Sequence, residues 1–533
     1  MADVMSQTPP PLQGPSDKER KYDRQLRLWA AAGQAALESS NILLVNSGSG
    51  TVGVETLKNL VLPDSGPGIG KFTIVDDAIV GDADLGVNFF LDEASRGKSR
   101  AQCNTELLLE LNPEVSGDWF PKSQGAFDLG EALSSATPYT IILYTFPIDP
   151  ANLALLQEYG RQHSVPLVAI HSVGFYGYFR VSLPGVFPIV DTHPDETATA
   201  DLRLLTPWPE LSHFAEEMTK DIDNLDAHEH GHIPLVVILL HYLEAWKASH
   251  GGSLPTSYSD KTAFREIISG AMRTNNPEGG EENFEEAVGA VMKHITTPSI
   301  PSSLQEVFDY DYGSQHGSSF WVIAEAVKQF YRKHQQLPVT GRLPDMKAQS
   351  KTYIALQSLY KNKARKDAAE VLDMAHALAA DVAIDADEVE MFCTNAKFIK
   401  LINADKNTPS MDEIIARELG NDEIAAVAGP EMPSSLISIY FALNATSHAP
   451  EMGTAEIIQS INRQAPALQG KERTEQIAQE VARAAGGELH NVSATLGGMA
   501  AQEVIKVVTK QYIPVENTCI YDGIESRCQV LRT

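Results

Sequence analysis

Apolar positions change their period several times along the chain, and each change marks an element. Residues 41–45 read Asn-Ile-Leu-Leu-Val, a short continuous apolar run typical of a strand buried on both faces. Residues 51–62 place Val54, Leu57, Leu60 and Val61 on one side of a helix. A second buried strand follows over 71–75 and ends at Asp76 and Asp77. Helical spacing returns over 101–111 and 151–163, and apolar strands over 140–144 and 165–170. Ahead of these, 21–40 reads as a helix anchored by Leu26, Leu28, Trp29 and Leu37. Strands alternating with helices predict an α/β fold with a doubly wound, parallel, Rossmann-like sheet.

Past about Gly185 the alternation stops. Helical segments over 233–248, 284–296, 320–333, 347–379 and 385–402 predict a large inserted, mostly helical domain spanning 186–485. The end of the chain is mixed again. It has a helix over 493–509 with a Gly497-Gly498 step suited to close approach, a strand over 517–521, and a turn at Asp522-Gly523. A lone helix and strand cannot support themselves, so 486–533 should rejoin the first domain, whose first part spans 19–185. Residues 1–18, rich in Pro, Ser and Gln, read as a disordered tail. No internal repeat is visible.

At 533 residues the chain is too long for one ordinary core and implies two to four domains. With 43% hydrophobic and 21% charged residues it is soluble and globular in composition. The net charge of −28 argues against nucleic acid or an anionic membrane as a partner held by bulk electrostatics. The longest apolar run, 233–240, is too short to span a bilayer, and the N-terminal residues carry no apolar signal segment. Cys103, Cys393, Cys519 and Cys528 form no CxxC pair. Their small number fits a reducing compartment, cytoplasmic or nuclear.

The candidate chemistry begins at Gly48-Ser49-Gly50-Thr51-Val52-Gly53, a GxGxxG loop that follows a strand and opens a helix. Glycines there allow a tight turn and close approach to phosphate, and the helix N-terminus offers unpaired N–H groups. Asp76, about 23 residues beyond Gly53, stands where a ribose-binding carboxylate is usual. The same glycines could equally serve only to pack a helix on a strand.

KYDRQLRLW (21–29), the glycine loop with its helix, FTIVDDAIV and NFFL follow in order. This succession resembles the activating enzymes of ubiquitin-like proteins and their bacterial MoeB/ThiF relatives. LPVTGRLPDMKAQSKTYIALQSLYKNKARKDA (337–368), MFCTNAKFIKLI (391–402) and SATLGGMAAQEVIKVVTKQYIPVENTCIY (493–521) resemble the regulatory-subunit branch of that family that serves neddylation. The resemblance implies an adenylation fold working as one half of a pseudo-symmetric pair.

It also exposes departures. Active members carry DxD where this chain has Asp76-Asp77-Ala78, so the second acid is missing. They carry SNLxRQFL where this chain reads from Ala83 to Phe90, which places Asp84 at the Asn and Val87 at the Arg. Arg100 stands at the Lys of the following motif, and no Asp follows the strand in Tyr144-Thr-Phe-Pro147. Adenylation needs cations and metal-holding acids in fixed positions. These changes therefore imply a degraded site at Gly48, Gly50, Gly53, Asp76, Ala78, Asp84, Val87 and Arg100, with no catalysis in cis. Cys393 lies in an apolar helix without a base beside it and reads as a structural thiol; the other cysteines look no better. Asp226-Ala-His228-Glu229-His230-Gly-His232 invites a zinc reading but lacks a second ligand cluster, so no metal is expected.

The resemblance implies a role for Arg24, which matches the Arg of the YxRQ stretch: a cation delivered in trans to ATP in a catalytic partner. It further implies that ATP and Mg belong to that partner, that this subunit binds no cofactor, and that a ubiquitin-like modifier and a conjugating enzyme are the other partners. Two rival readings remain. One is an NAD-dependent oxidoreductase, supported by the glycine loop and Asp76 but lacking a Tyr-x-x-x-Lys or His–carboxylate constellation. The other is an adaptor with no part in catalysis.

Overall fold

The computed structural model describes residues 20, 22–62, 68–123, 128–195, 200–274, 280–297, 299–313, 318–379, 381–403, 409–429 and 432–533. The tail expected over 1–18 lies outside them. The chain divides into two compact units, Met1–Phe187 with Ile402–Thr533, and Pro188–Leu401.

The first unit opens with helix α1 (Asp23–Glu38), kinked where Trp29 and the positive-φ Ala30 leave helical geometry. Strand β1 (Asn41–Val45), helix α2 (Thr51–Val61) and strand β2 (Lys71–Val75) follow, then α3 (Asp82–Val87), α4 (Arg100–Leu111) and β3 (Ser116–Phe120). The chain continues through α5 (Leu129–Leu133), β4 (Ile141–Thr145), α6 (Pro150–His163), β5 (Leu167–Val173) and β6 (Tyr176–Ser182), and β7 (Val186–Val190) then runs across the boundary into the second unit. Strands β1 and β4 are buried along their whole length, as their unbroken apolar runs require. Strand β3 has the sequence SGDWF and is half exposed at the sheet edge, so it carries little apolar signal.

With β9 (Thr518–Asp522) and β10 (Arg527–Leu531), the sheet runs β10-β9-β6-β5-β4-β1-β2-β3. Strands β3, β2, β1, β4 and β5 are mutually parallel, and β6, β9 and β10 add antiparallel pairings. Chain direction across the sheet reverses between β1 and β4, and their carboxyl ends carry the glycine loop and residues 146–147. Ligands of open α/β sheets bind at such a switch point.

The second unit is helical: α7 (Pro209–Thr219), α8 (Ala227–His230), α9 (Leu235–Ser249), α10 (Tyr258–Ala271), α11 (Glu282–His294), α12 (Ser302–Asp309), α13 (Ser319–His334), the 29-residue α14 (Ser350–Leu378) and α15 (Ala386–Thr394). Two cores hold it, one around Val236, Phe264, Phe284 and Tyr360, the other around Trp321, Phe330, Val371 and Phe392. The helix expected over 385–402 is shorter than that. It stops at Asn395, passes through one 3-10 turn and becomes β8 (Ile399–Asn403), which pairs with β7.

The expected boundary at 485 is also displaced, because the chain rejoins the first unit at Ile402. Helices α16 (Met411–Ala428), α17 (Ile437–Ala445), α18 (Thr454–Gln464) and α19 (Glu472–Ala484) therefore precede α20 (His490–Thr509) in that unit. The reason is α17, whose sequence ISIYFALNA is apolar on almost every side. Its side chains share one core with Val173, Tyr176, Tyr178, Ile520 and Leu531 of the sheet. No helix among the described residues is long and apolar enough to cross a membrane.

Candidate functional site

Gly48 and Gly50 both adopt positive φ, 60° and 64°, and Gly50 caps the start of α2. A Cβ on Gly50 would lie 2.3 Å from Asn46 Nδ2, one on Gly53 2.5 Å from Asn46 Oδ1, and one on Gly48 2.8 Å from the Phe146 carbonyl oxygen. The loop is thus packed against protein on its inner side. Ser47 ties it to the β4 end: its N–H donates to Thr145 Oγ1 at 2.8 Å and its hydroxyl to the Pro147 carbonyl at 2.6 Å.

Of the positions that depart from the active pattern, Asp84 and Ala78 meet Arg100, Ala78 by accepting the Arg100 N–H at 2.9 Å. Arg100 Nε and Nη2 bind both oxygens of Asp76, at 2.7 and 3.0 Å. Its Nη1 donates to Asp84 Oδ1 at 2.8 Å and to the carbonyls of Gly48 and Ser49 at 2.8 and 3.3 Å. All three guanidinium nitrogens are engaged inside the protein, and the side chain is buried against Asp76, Asp84 and the glycine loop. Asp76 also accepts from Asn46 Nδ2 at 2.9 Å and from the Ala78 N–H at 3.1 Å. Burial pushes the Asp76 carboxyl up while Arg100 pulls it back. Burial alone would lower Arg100, but Asp76 and Asp84 together raise it and keep it charged. Asp76 is therefore not presented to a ribose. Ala78 offers only a methyl, and Val87 is half-buried with its carbonyl bound to His490 Nδ1 at 3.0 Å.

The N-terminus of α2 is occupied too. Glu488, from the turn before α20, accepts the Val52 N–H at 2.8 Å, and Ser493 donates to the same oxygen at 2.6 Å. A carboxylate thus sits on the unpaired N–H groups where a phosphate would be cradled. Burial raises the Glu488 pKa to about 7, against the hydrogen bonds from Ser493 and the start of α2. The neighbouring Ser49 hydroxyl reaches the Gly486 carbonyl at 3.4 Å, and His490 stacks on Phe89 at 3.6 Å. Glu488 carried no sequence signal of its own. It lies over 400 residues from the loop that it caps, and only the fold joins them. In this pocket the anion cradle holds a protein carboxylate, and Arg100 is held by Asp76 and Asp84.

Arg24 lies apart from this pocket. It is exposed on α1, and no described carboxylate pairs with it, whereas Arg27 is held by Asp23 at 3.0 Å. Leu28, one turn on from Arg24, is 52% exposed. The histidines of 226–232 diverge. His230 turns inward to Glu281 at 2.7 Å and stacks on Phe284, the rings of His228 and His232 meet at a 35° tilt, and Asp226 caps α8. Among the described residues no group of three or more potential ligands could hold a metal ion. Cys393 is 1% exposed, and burial raises its thiol far above the usual range.

The model of the ThiF family matches residues 22–533. The NEDD8-activating enzyme E1 regulatory subunit of Xenopus laevis is 35% identical over 95% of this chain and 97% of its own length. The protein of the same description from Gallus gallus is 35% identical over 95% of this chain and 97% of its own. The regulatory subunit AXR1 of Arabidopsis thaliana is 32% identical over 97% of this chain and 96% of its own.

Proposed function

The chain belongs to the ThiF family, in its branch of NEDD8-activating enzyme E1 regulatory subunits, and from that premise we propose that it completes a catalytic partner's adenylation site while binding no nucleotide itself. A regulatory subunit of such an enzyme works as a heterodimer with a catalytic subunit. In our reading ATP and Mg sit in that partner, which adenylates the C-terminus of a ubiquitin-like modifier, forms the thioester and passes it to a conjugating enzyme. This chain supplies Arg24 in trans. Arg suits the task because it is always charged and forks onto phosphate oxygens.

The observation that carries the reading is the closed pocket. Glu488 occupies the α2 N-terminus, and Arg100 spends its hydrogen bonds on Asp76, Asp84 and the glycine loop. An incoming phosphate would have to displace a buried carboxylate and break a buried ion-pair network, which costs several kcal/mol per uncompensated charge. Arg24, exposed and without an acid partner among the described residues, supports the second half of the reading. An oxidoreductase is not favoured, because Asp76 is committed to Arg100 and the full-length likeness is to activating-enzyme subunits.

ATP–pyrophosphate exchange, run with modifier on this chain alone, on the catalytic subunit alone and on the mixture, tests the proposal. Exchange is expected only in the mixture, and exchange by this chain alone would overturn it.

A further inference from the structure

Four cysteines are spread along the chain, and the fold brings two of them together with a methionine. In the antiparallel pair of β9 and β10, Cys519 stands opposite Val530 and Tyr521 opposite Cys528. Side chains two apart on a strand share a face, so Cys519 and Cys528 are diagonal neighbours on one face of the sheet. Ile520, between Cys519 and Tyr521, points the other way, into the core shared with α17. Cys519 is 7% exposed, and its thiol lies within hydrogen-bonding reach of Cys528. The Cys528 thiol is exposed and in turn reaches Met499 Sδ, on α20, at 3.7 Å.

Burial accounts for Cys519 alone. Cys528 is exposed and Met499 half-buried, so their meeting is not core packing. The spacing suits a shared ion. With metal–sulfur bonds of about 2.3 Å, two sulfurs 3.7 Å apart subtend roughly 107° at an ion held by both, near the tetrahedral angle. The exposed side of Cys528 gives that ion an entry path.

The donors choose the ion. His, Cys, Asp and Glu side chains alone form no cluster of three among the described residues, and here the third donor is a thioether. Two thiols and a thioether form a set of soft donors with no imidazole or carboxylate, which suits Cu(I). Calcium and magnesium need oxygen ligands, and a structural zinc site needs four donors.

We infer that Cys519, Cys528 and Met499 together bind one Cu(I) ion. Each thiol loses its proton to solvent as its sulfur–metal bond forms, Met499 donates a lone pair, and copper keeps its oxidation state. Two thiolates and one Cu(I) leave a single negative charge. Lys506, half-buried on α20 and paired with Glu503 at 2.6 Å, is a cation whose field reaches Cys519.

The test titrates the full chain, reduced and without oxygen, with Cu(I) held by the coloured chelator bicinchoninate, so that loss of colour counts the ions transferred. The wild type is expected to withdraw one equivalent. Cys528→Ser should weaken binding by at least about a hundredfold and Met499→Leu by about tenfold, since even groups that only support a ligand are worth about 10- to 100-fold in affinity. Cys528 is exposed and Met499→Leu nearly conserves volume, so both variants should melt like the wild type. Met499→Leu also keeps all four thiols, so its weaker binding separates this site from capture by any free cysteine. No transfer from the chelator, unchanged affinity in either variant, or displacement of the Cu(I) by equimolar Zn(II) overturns the inference.

Discussion

At the residue scale, two side chains carry the functional account in opposite ways. Arg24 is exposed and has no acid partner among the described residues, so Arg24→Ala should leave the fold untouched. In the heterodimer the same change should slow pyrophosphate exchange on the order of 100-fold, as removal of other preorganised or trans-acting donors does. A rate within twofold of wild type, with the heterodimer still assembled on a sizing column, would remove Arg24 from the site. Glu488 is the reverse case, an acid held inside the protein. Its folded pKa of about 7 lies above the unfolded value of 4.5, so its contribution to stability is fully present below about pH 4.5 and is lost as pH rises through about 7. The loss is on the order of 3 kcal/mol. Glu488→Gln keeps an acceptor for the Val52 N–H, and denaturant melts of that variant should lack this fall between pH 5 and 8. Legibility differs in the same way. The substitutions at Ala78, Asp84, Val87 and Arg100 were visible because a family pattern passes through them. That Arg100 gathers Asp76, Asp84 and the loop into one network depended on packing. Glu488 was invisible because its partner helix begins over 400 residues earlier.

At the scale of elements, α2 and α20 set the geometry of the closed pocket. They cross closely, and Gly497 is the point of approach. A Cβ there would meet Glu55 Cβ and the Thr56 backbone nitrogen at 3.0 Å, while one on Gly498 would find only Asn59 Nδ2 at 3.9 Å. Gly497→Ala should therefore cost about 1–3 kcal/mol by overpacking. Gly498→Ala should be neutral or stabilise by up to about 1 kcal/mol, through helix propensity alone. Equal effects of the two changes in thermal melts would show that the crossing is looser than described. The sequence marked both glycines as one step, and only the contacts separate them. Buried strands and long amphipathic helices were legible, since β1, β2, α2 and α4 match their apolar patterns closely. Edge strand β3 and the turn from α15 into β8 were not. A half-exposed strand shows no clear period, and the aliphatic run Ile399-Lys400-Leu401-Ile402 serves a strand as readily as a helix.

At the scale of the molecule, the doubly wound sheet and the helical second unit were both legible, but the return point was not. Residues 411–484 read as helices, and helicity alone does not say which core they join. The apolar surround of α17 decides it, because the sheet covers one side and α16, α18 and α19 cover the rest in one core. The consequence is a complete adenylation fold, sheet and flanking helices included, whose nucleotide crevice is filled by its own side chains. On the proposed reading such a fold presents surfaces and Arg24 to a partner, and the chemistry belongs to the other half.

Counting ATP bound by the assembled heterodimer at saturation tests that division most directly. The account predicts one equivalent per heterodimer and none on this chain alone, and two equivalents, or any stoichiometric ATP on the isolated chain, would contradict it.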